Sequence, residues 1–129
     1  MTSRIGAVTL VVPDYDEAIA HYCDGLGFDL VEDTDFGGGK RWVLIAAPGS
    51  SGTCLLLGKA TTPEQRQRVG DQTGGRVFLI LHTDDFDRDH ARFSAAGAVF
   101  TETPRDEPYG KVCVFRDRFG NLWDLLQPR

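Results

Sequence analysis

The sequence predicts an α+β chain made of two tandem βαβββ units with mixed sheets, and three observations carry that expectation. The second half repeats the first: Leu10-Val11-Val12-Pro13-Asp14-Tyr15 reads against Leu81-His82-Thr83-Asp84-Asp85-Phe86 at an offset of 71 residues, and Tyr22 meets Phe93 at the same spacing. Gly39-Lys40-Arg41-Trp42-Val43-Leu44 keeps that offset against Gly110-Lys111-Val112-Cys113-Val114-Phe115, while Gly52-Thr53-Cys54-Leu55-Leu56-Leu57 answers Gly120-Asn121-Leu122-Trp123-Asp124-Leu125 at 68. Self-similarity at a fixed period decides architecture before any single residue does. In each copy, a β-branched run, a helical pattern and further strand-like runs follow one another. Finally, 129 residues suffice for one proper core but not for two independent domains. A single domain is therefore expected, with one unit at about 4–58, a connector at 59–75 and a second unit at 76–127.

Each element has a local reason. Ile5 to Val12 is rich in β-branched residues and ends at Pro13, as a strand should. Asp14 and Glu17 form a capping-box-like pair, and Tyr15, Ala18, Ile19 and Tyr22 fall on one helical face. His21 lies beside that face and is expected in solvent. Gly25 and Gly27 can close the helix, after which Phe28 to Glu32 alternates like a half-exposed strand. Gly37-Gly38-Gly39 predicts a turn, and Lys40 to Ala47 and Thr53 to Leu57 complete the first unit. The polar connector carries a short helical pattern around Glu64 to Val69. The unit then restarts, with a strand at Arg76 to His82 and a helix at Asp85 to Ala96 that turns Phe86, His90 and Phe93 inward. A strand at Ala98 to Thr101 precedes a last hairpin of Gly110 to Arg116 and Leu122 to Leu126 around Asp117 to Gly120.

Composition narrows the function classes. With 41% hydrophobic and 26% charged residues and no long apolar run, the chain reads as globular rather than membrane-spanning. The start, Met1-Thr2-Ser3-Arg4, lacks the regions of a signal peptide, so a cytoplasmic location is expected. Cys23, Cys54 and Cys113 are odd in number and widely spaced, which suits reduced thiols. Net charge is −5 and the arginines are scattered among acids, so nucleic acid is not an expected partner.

The repeated units, the helix end Tyr22…Gly25-Leu26-Gly27-Phe28 and the closing run Phe115-Arg116-Asp117-Arg118-Phe119-Gly120-Asn121-Leu122-Trp123-Asp124-Leu125 resemble the vicinal oxygen chelate superfamily over nearly the whole chain. That superfamily groups glyoxalase I, extradiol dioxygenases, fosfomycin-resistance enzymes and bleomycin-resistance binding proteins. The resemblance implies a cup-shaped half-open barrel in which the two units enclose a ligand cavity, and it implies a homodimer. In the family's metalloenzymes a divalent ion is held by residues of the first and last strands of each unit. Carried onto this chain, those positions are Ala7, Leu56, Phe78 and Asp124. Three of the four cannot bind a metal, and a lone carboxylate holds a hard cation poorly. No metal ligand set and no cofactor are therefore expected.

Strand parity assigns Thr9, Lys40, Trp42, Cys54, Leu56, Phe78, Ile80, His82, Lys111, Cys113 and Leu122 to the ligand side, with Tyr109 at its mouth. The result is an apolar pocket with aromatic walls and a few polar groups, or a barrel interior filled by the same side chains. Trp42 could stack on a flat ligand, and Lys40 with Lys111 would favour an anion. A hairpin turning at Asp117 to Gly120 sets Cys113 opposite Asp124 and Lys111 on the diagonal. Two readings of Lys111 and Asp124 stand: a plain ion pair, or a polar pair that binds ligand or moves a proton. His82 is likewise either a strand-end histidine or a third polar group of the site. Two functions follow. One is a binding protein of the bleomycin-resistance type that holds a planar or anionic small molecule without a metal. The other is a lyase, isomerase or dioxygenase-like enzyme acting on a carbonyl, enol or catechol substrate through Asp124, Lys111 and His82, by acid–base catalysis or with an unconventional metal shell.

Overall fold

One device opens the principal helix of both units. The Asp14 carboxylate accepts a hydrogen bond from Glu17 N at 3.0 Å, and Asp85 accepts one from Arg88 N at 3.1 Å. Each satisfies an amide that the start of a helix would otherwise leave without a partner. The computed structural model describes residues 1–129, in two compact units, Met1–Arg66 and Gln67–Arg129.

In the first unit, β1 (Ala7–Val12) leads into α1 (Tyr15–Ile19), which runs on without a break as a π-helical turn, Ala20–Gly25. Leu26 N there reaches back five residues to His21 O at 2.9 Å. The wider turn corrects the expectation for His21. A 3.6-residue period sets it beside the apolar face, whereas the π turn brings both His21 and Tyr22 inside, and His21 is only 4% exposed. Gly27, at φ +85°, ends the segment. Strands β2 (Asp29–Gly37), β3 (Lys40–Ala46) and β4 (Cys54–Lys59) complete the sheet in the order β1-β4-β3-β2, with β1 parallel to β4 and the rest antiparallel. The β2–β3 link needs positive φ at both Gly38 and Gly39, which is why glycines stand there.

The short helix α2 (Pro63–Arg68) spans the boundary between units, with the Thr62 hydroxyl accepting from Gln65 N at 3.2 Å. The second unit repeats the plan with β5 (Leu79–His82), α3 (Phe86–Ala95), β6 (Val99–Phe100), β7 (Arg105–Glu107), β8 (Gly110–Arg116) and β9 (Leu122–Pro128). Its sheet order is β5-β9-β8-β6, and β7 also pairs with β8. The sequence foretold one strand before the hairpin; there are two short ones. Pro104 brings no amide to a ladder, and Glu102 fills the gap by accepting from Val114 N through its side chain at 3.1 Å.

Each unit builds its core on one face of its own sheet. Leu10, Val12, Val43, Ile45, Leu55 and Leu57 meet Tyr15, Ala18 and Tyr22 in the first. In the second, Phe93, Phe115, Trp123 and Leu125 are buried, and Phe115 stacks on Trp123 with ring centroids 5.8 Å apart. His90 lies flat on Phe100 at 3.9 Å, a packing position.

The expected repeat holds for the parallel strand pairs and slips for the antiparallel one. Thr9 faces Leu56 and Ile80 faces Asp124, as offsets of 71 and 68 require. Leu44 faces Leu56, however, while Val114 faces Asp124, so β3 and β8 correspond at 70 rather than 71. The cause is the β8–β9 link, which includes Asn121 and spans five residues instead of four. Asp117 N donates to Asn121 O, and the Asp117 carboxylate gathers the turn around itself.

Candidate functional site

In a half-covered sheet, successive side chains serve opposite faces, so a one-residue slip moves every side chain on β8 to the other side. In the second unit the face away from α3 carries Phe78, Ile80, His82, Val114, Leu122, Asp124 and Leu126. Ile80 is 60% exposed, and Asp124 is half-buried at the centre of the face, directly across from it. Val112 and Arg105 pair beside Leu126 on the same side.

The slip corrects two expected positions. Cys113 pairs with Leu125 rather than Asp124; it is fully buried on the α3 side, with its Sγ 3.2 Å from Glu102 O. Burial pushes its thiol pKa up, and the Glu102 charge adds to the shift. Lys111 pairs with Gln127, also on the α3 side, where its Nζ lies 4.8 Å from the Phe86 ring centroid and 3.2 Å from Asp87 Oδ1. Neither the Lys111–Asp124 ion pair nor the polar pair is formed. Tyr109 is exposed in the β7–β8 turn. His82 is exposed at the end of β5, opposite Leu126 and two residues beyond Ile80, the β5 partner of Asp124.

Asp124 is left in an environment of its own. Burial raises its carboxyl pKa, the Arg105 charge opposes that, and the Glu102 charge reinforces it. Arg105 itself is shared by Glu102 at 3.0 Å and Glu107 at 2.8 Å. A carboxyl among Ile80, Val114 and Leu122 thus holds its proton to higher pH than an exposed aspartate, and in that form it donates one hydrogen bond and accepts others.

In the first unit, the face away from α1 carries Thr9, Leu44 and Leu56, with Trp42 and Lys40 further along β3. Thr9 and Lys40 are exposed, and Trp42 is 37% exposed with its ring 6.4 Å from that of Phe36. The family's metal positions fall on these same faces, Ala7 and Leu56 on β1 and β4, and Phe78 and Asp124 beside and on β5 and β9. One carboxylate, a methyl, an isobutyl and a phenyl group do not make a donor set for a divalent ion. No group of three or more His, Cys, Asp or Glu side chains is placed to hold one elsewhere. The residues present do not fit the family's metal.

Two further features have no counterpart among the sequence expectations. Asp117, 3% exposed, accepts from Phe119 N at 2.9 Å, from Asn121 N and Nδ2 at 3.0 Å each and from Trp123 Nε1 at 3.0 Å. The pairing of Asp117 with Asn121 and Trp123 across a glycine turn was the available signal. The other is a cleft of roughly 250 Å³ between the loop Gly70–Arg76 and the β8–β9 turn. Its lining includes the apolar Phe78 and Leu122 and the cationic Arg76 and Arg116. Gly70 packs so closely on the Phe119 carbonyl and Gly120 Cα that a β-carbon would overlap backbone there.

No helix of the chain is long and apolar enough to cross a membrane. An uncharacterised protein of Shewanella frigidimarina is 52% identical over 128 residues, covering 98% of this chain and 95% of its own. Among solved structures, UcmS2 superposes with a TM-score of 0.81 at 29% identity, covering 98% of both chains. TnmS3, an antibiotic binding protein from Streptomyces sp. CB03234, gives 0.71 at 31% identity, covering 99% of this chain and 98% of its own. The model of the Glyoxalase/Bleomycin resistance protein/Dioxygenase superfamily matches residues 4–125. On that match, and on two units of identical strand order, the chain belongs to the Glyoxalase/Bleomycin resistance protein/Dioxygenase superfamily.

Proposed function

We propose that this chain is a small-molecule-binding member of its superfamily that works without the family's divalent ion and holds a planar or anionic organic ligand. The observation that carries this reading is the face around Asp124, where the family's ligand positions hold Phe78 and Asp124 and the surroundings are apolar but open. Ligand sites are mostly apolar with a few placed polar groups, and Ile80, Phe78 and Leu122 with the half-buried Asp124 have that composition. Thr9, Lys40, Trp42 and Leu56 give the first unit a second surface of similar character. The likeness to TnmS3, an antibiotic binding protein, supports the same reading.

A second reading has one observation in its favour. The raised pKa of Asp124 suits a group that moves a proton to or from a carbonyl or enol, with His82 on the same face.

The test is elemental analysis of the purified protein, followed by melting with Zn²⁺, Mn²⁺, Fe²⁺ and Ni²⁺ against a chelator and then with a panel of planar aromatic compounds. The binding reading expects no metal shift and a rise of several degrees with a ligand well above its Kd. One ion per chain, with a melting shift abolished by Asp124→Ala, would overturn it. Turnover of a dicarbonyl, enol or catechol that Asp124→Asn removes would establish the enzyme instead.

A further inference from the structure

We propose that the cleft between the loop Gly70–Arg76 and the β8–β9 turn binds the carboxylate of a small aromatic acid, with Arg76 and Arg116 gripping the anion and Phe78 and Leu122 seating the ring. The proposal rests on the small-molecule reading above and gives it a ligand class and a place. Its first support is charge. The net charge is −5, and the ion pairs of the chain engage Arg41, Arg68, Arg88, Arg105, Lys111 and Arg129. Arg76 and Arg116 enter none of them, yet both line one cleft. The only carboxylate there, Asp71, is paired with Arg68 at 3.6 Å. Two free guanidinium groups beside a hollow are the donors that a planar carboxylate takes up in bidentate fashion.

Its second support is shape. Leu122 and Asp124 are alternate residues on one face of β9, and Phe78 N donates to Leu122 O at 2.8 Å, so the cleft opens onto the apolar surface around Ile80. At roughly 250 Å³ it is smaller than the pockets that enclose drug-sized molecules, so it takes the acid group and its ring while any remainder lies along the sheet. The apolar side and the nearby acids Asp71 and Asp124 favour a monoanion on an aromatic body over a phosphate dianion. One end is anchored: Gly70 is packed on Phe119 and Gly120, and Asp117 ties the β8–β9 turn from beneath. A preorganised site loses less entropy on binding.

The test is amide chemical-shift titration of the full chain with 1-naphthoate and with its neutral isostere 1-naphthamide. Naphthoate should bind more tightly than naphthamide and shift the amides of Gly70, Gly75, Gly120 and Leu122. Arg76→Gln and Arg116→Gln should each weaken naphthoate by roughly tenfold, leave naphthamide unchanged and leave the melting temperature unchanged. Equal binding of the two compounds, or naphthoate affinity within about twofold of the parent in both variants, would overturn the anion site and leave the small-molecule reading intact. If neither compound binds, the anion site falls, while the small-molecule reading is decided separately by the metal and aromatic-panel melting test.

Discussion

Asp117→Ala removes one carboxylate and four acceptor contacts at once. It leaves the Trp123 Nε1 and Asn121 Nδ2 donors and two amides, those of Phe119 and Asn121, without that partner in a turn where Asp117 and Asn121 are 3% and 2% exposed. A buried donor stripped of its acceptor costs about 1–3 kcal/mol, and losses within one network do not simply add. Of the four donors only the Phe119 amide is partly open to water, and the losses overlap, so a total of about 3–5 kcal/mol is expected, at the high end for a single substitution. For a chain of this size that corresponds to a drop of roughly 10–20 °C in Tm. Urea unfolding followed by tryptophan fluorescence gives the figure directly, since Trp123 is one of only two tryptophans. Asp117→Asn keeps one carbonyl oxygen but turns an NH₂ toward donors, so it should fall between parent and alanine. A loss below about 1 kcal/mol for Asp117→Ala would refute the view that this carboxylate organises the turn.

Asp124, its pKa raised mainly by burial, binds its proton more tightly when folded than when unfolded, so its ionisation opposes folding at neutral pH. Asp124→Asn should therefore be more stable than the parent at pH 7, and the gain should vanish as pH falls below the unfolded value of about 3.9; urea midpoints across pH measure it. The Cys23 thiol is pushed up to about 11 by burial and by Asp24 and Asp29, so it should resist iodoacetamide at pH 8 in the folded chain and react on unfolding, as peptide mapping would read out. Gly70→Ala, at φ +75° and against the Phe119 backbone, should cost about 2–4 kcal/mol in urea unfolding, whereas Gly74→Ala, with open space around it, should cost less.

Much of the fold was legible because local chemistry and tertiary packing agree. Asp14 and Asp85 cap the helices that their sequences announce, and Gly110–Arg116 is a strand with the expected ends. Sequence and structure part where spacing alone has to decide. The π turn at Ala20–Gly25 has no composition signal, and it is what turns His21 inward. A four-residue turn at Asp117 to Gly120 was the simpler reading of the last hairpin. Only the hydrogen bonds of Asp117 to Asn121 show that the link takes one residue more. That residue displaced Lys111 and Cys113 from the Asp124 face while leaving Phe78, Ile80 and Leu122 on it, because those three depend on the parallel strand pair. Arg76 and Arg116 were invisible for another reason: forty residues separate them, and the loop at Gly70 brings them to one cleft.

The slip between β3 and β8 also bears on how such a duplicated chain can be redesigned. Residues swapped between halves by sequence alignment would change sides of the sheet: Trp42 copied to Cys113 would drive an indole into a fully buried thiol's place, while Val112 is its true geometric counterpart. Chimeras, consensus averaging of the halves and attempts to restore internal symmetry should therefore use an offset of 70 on these strands.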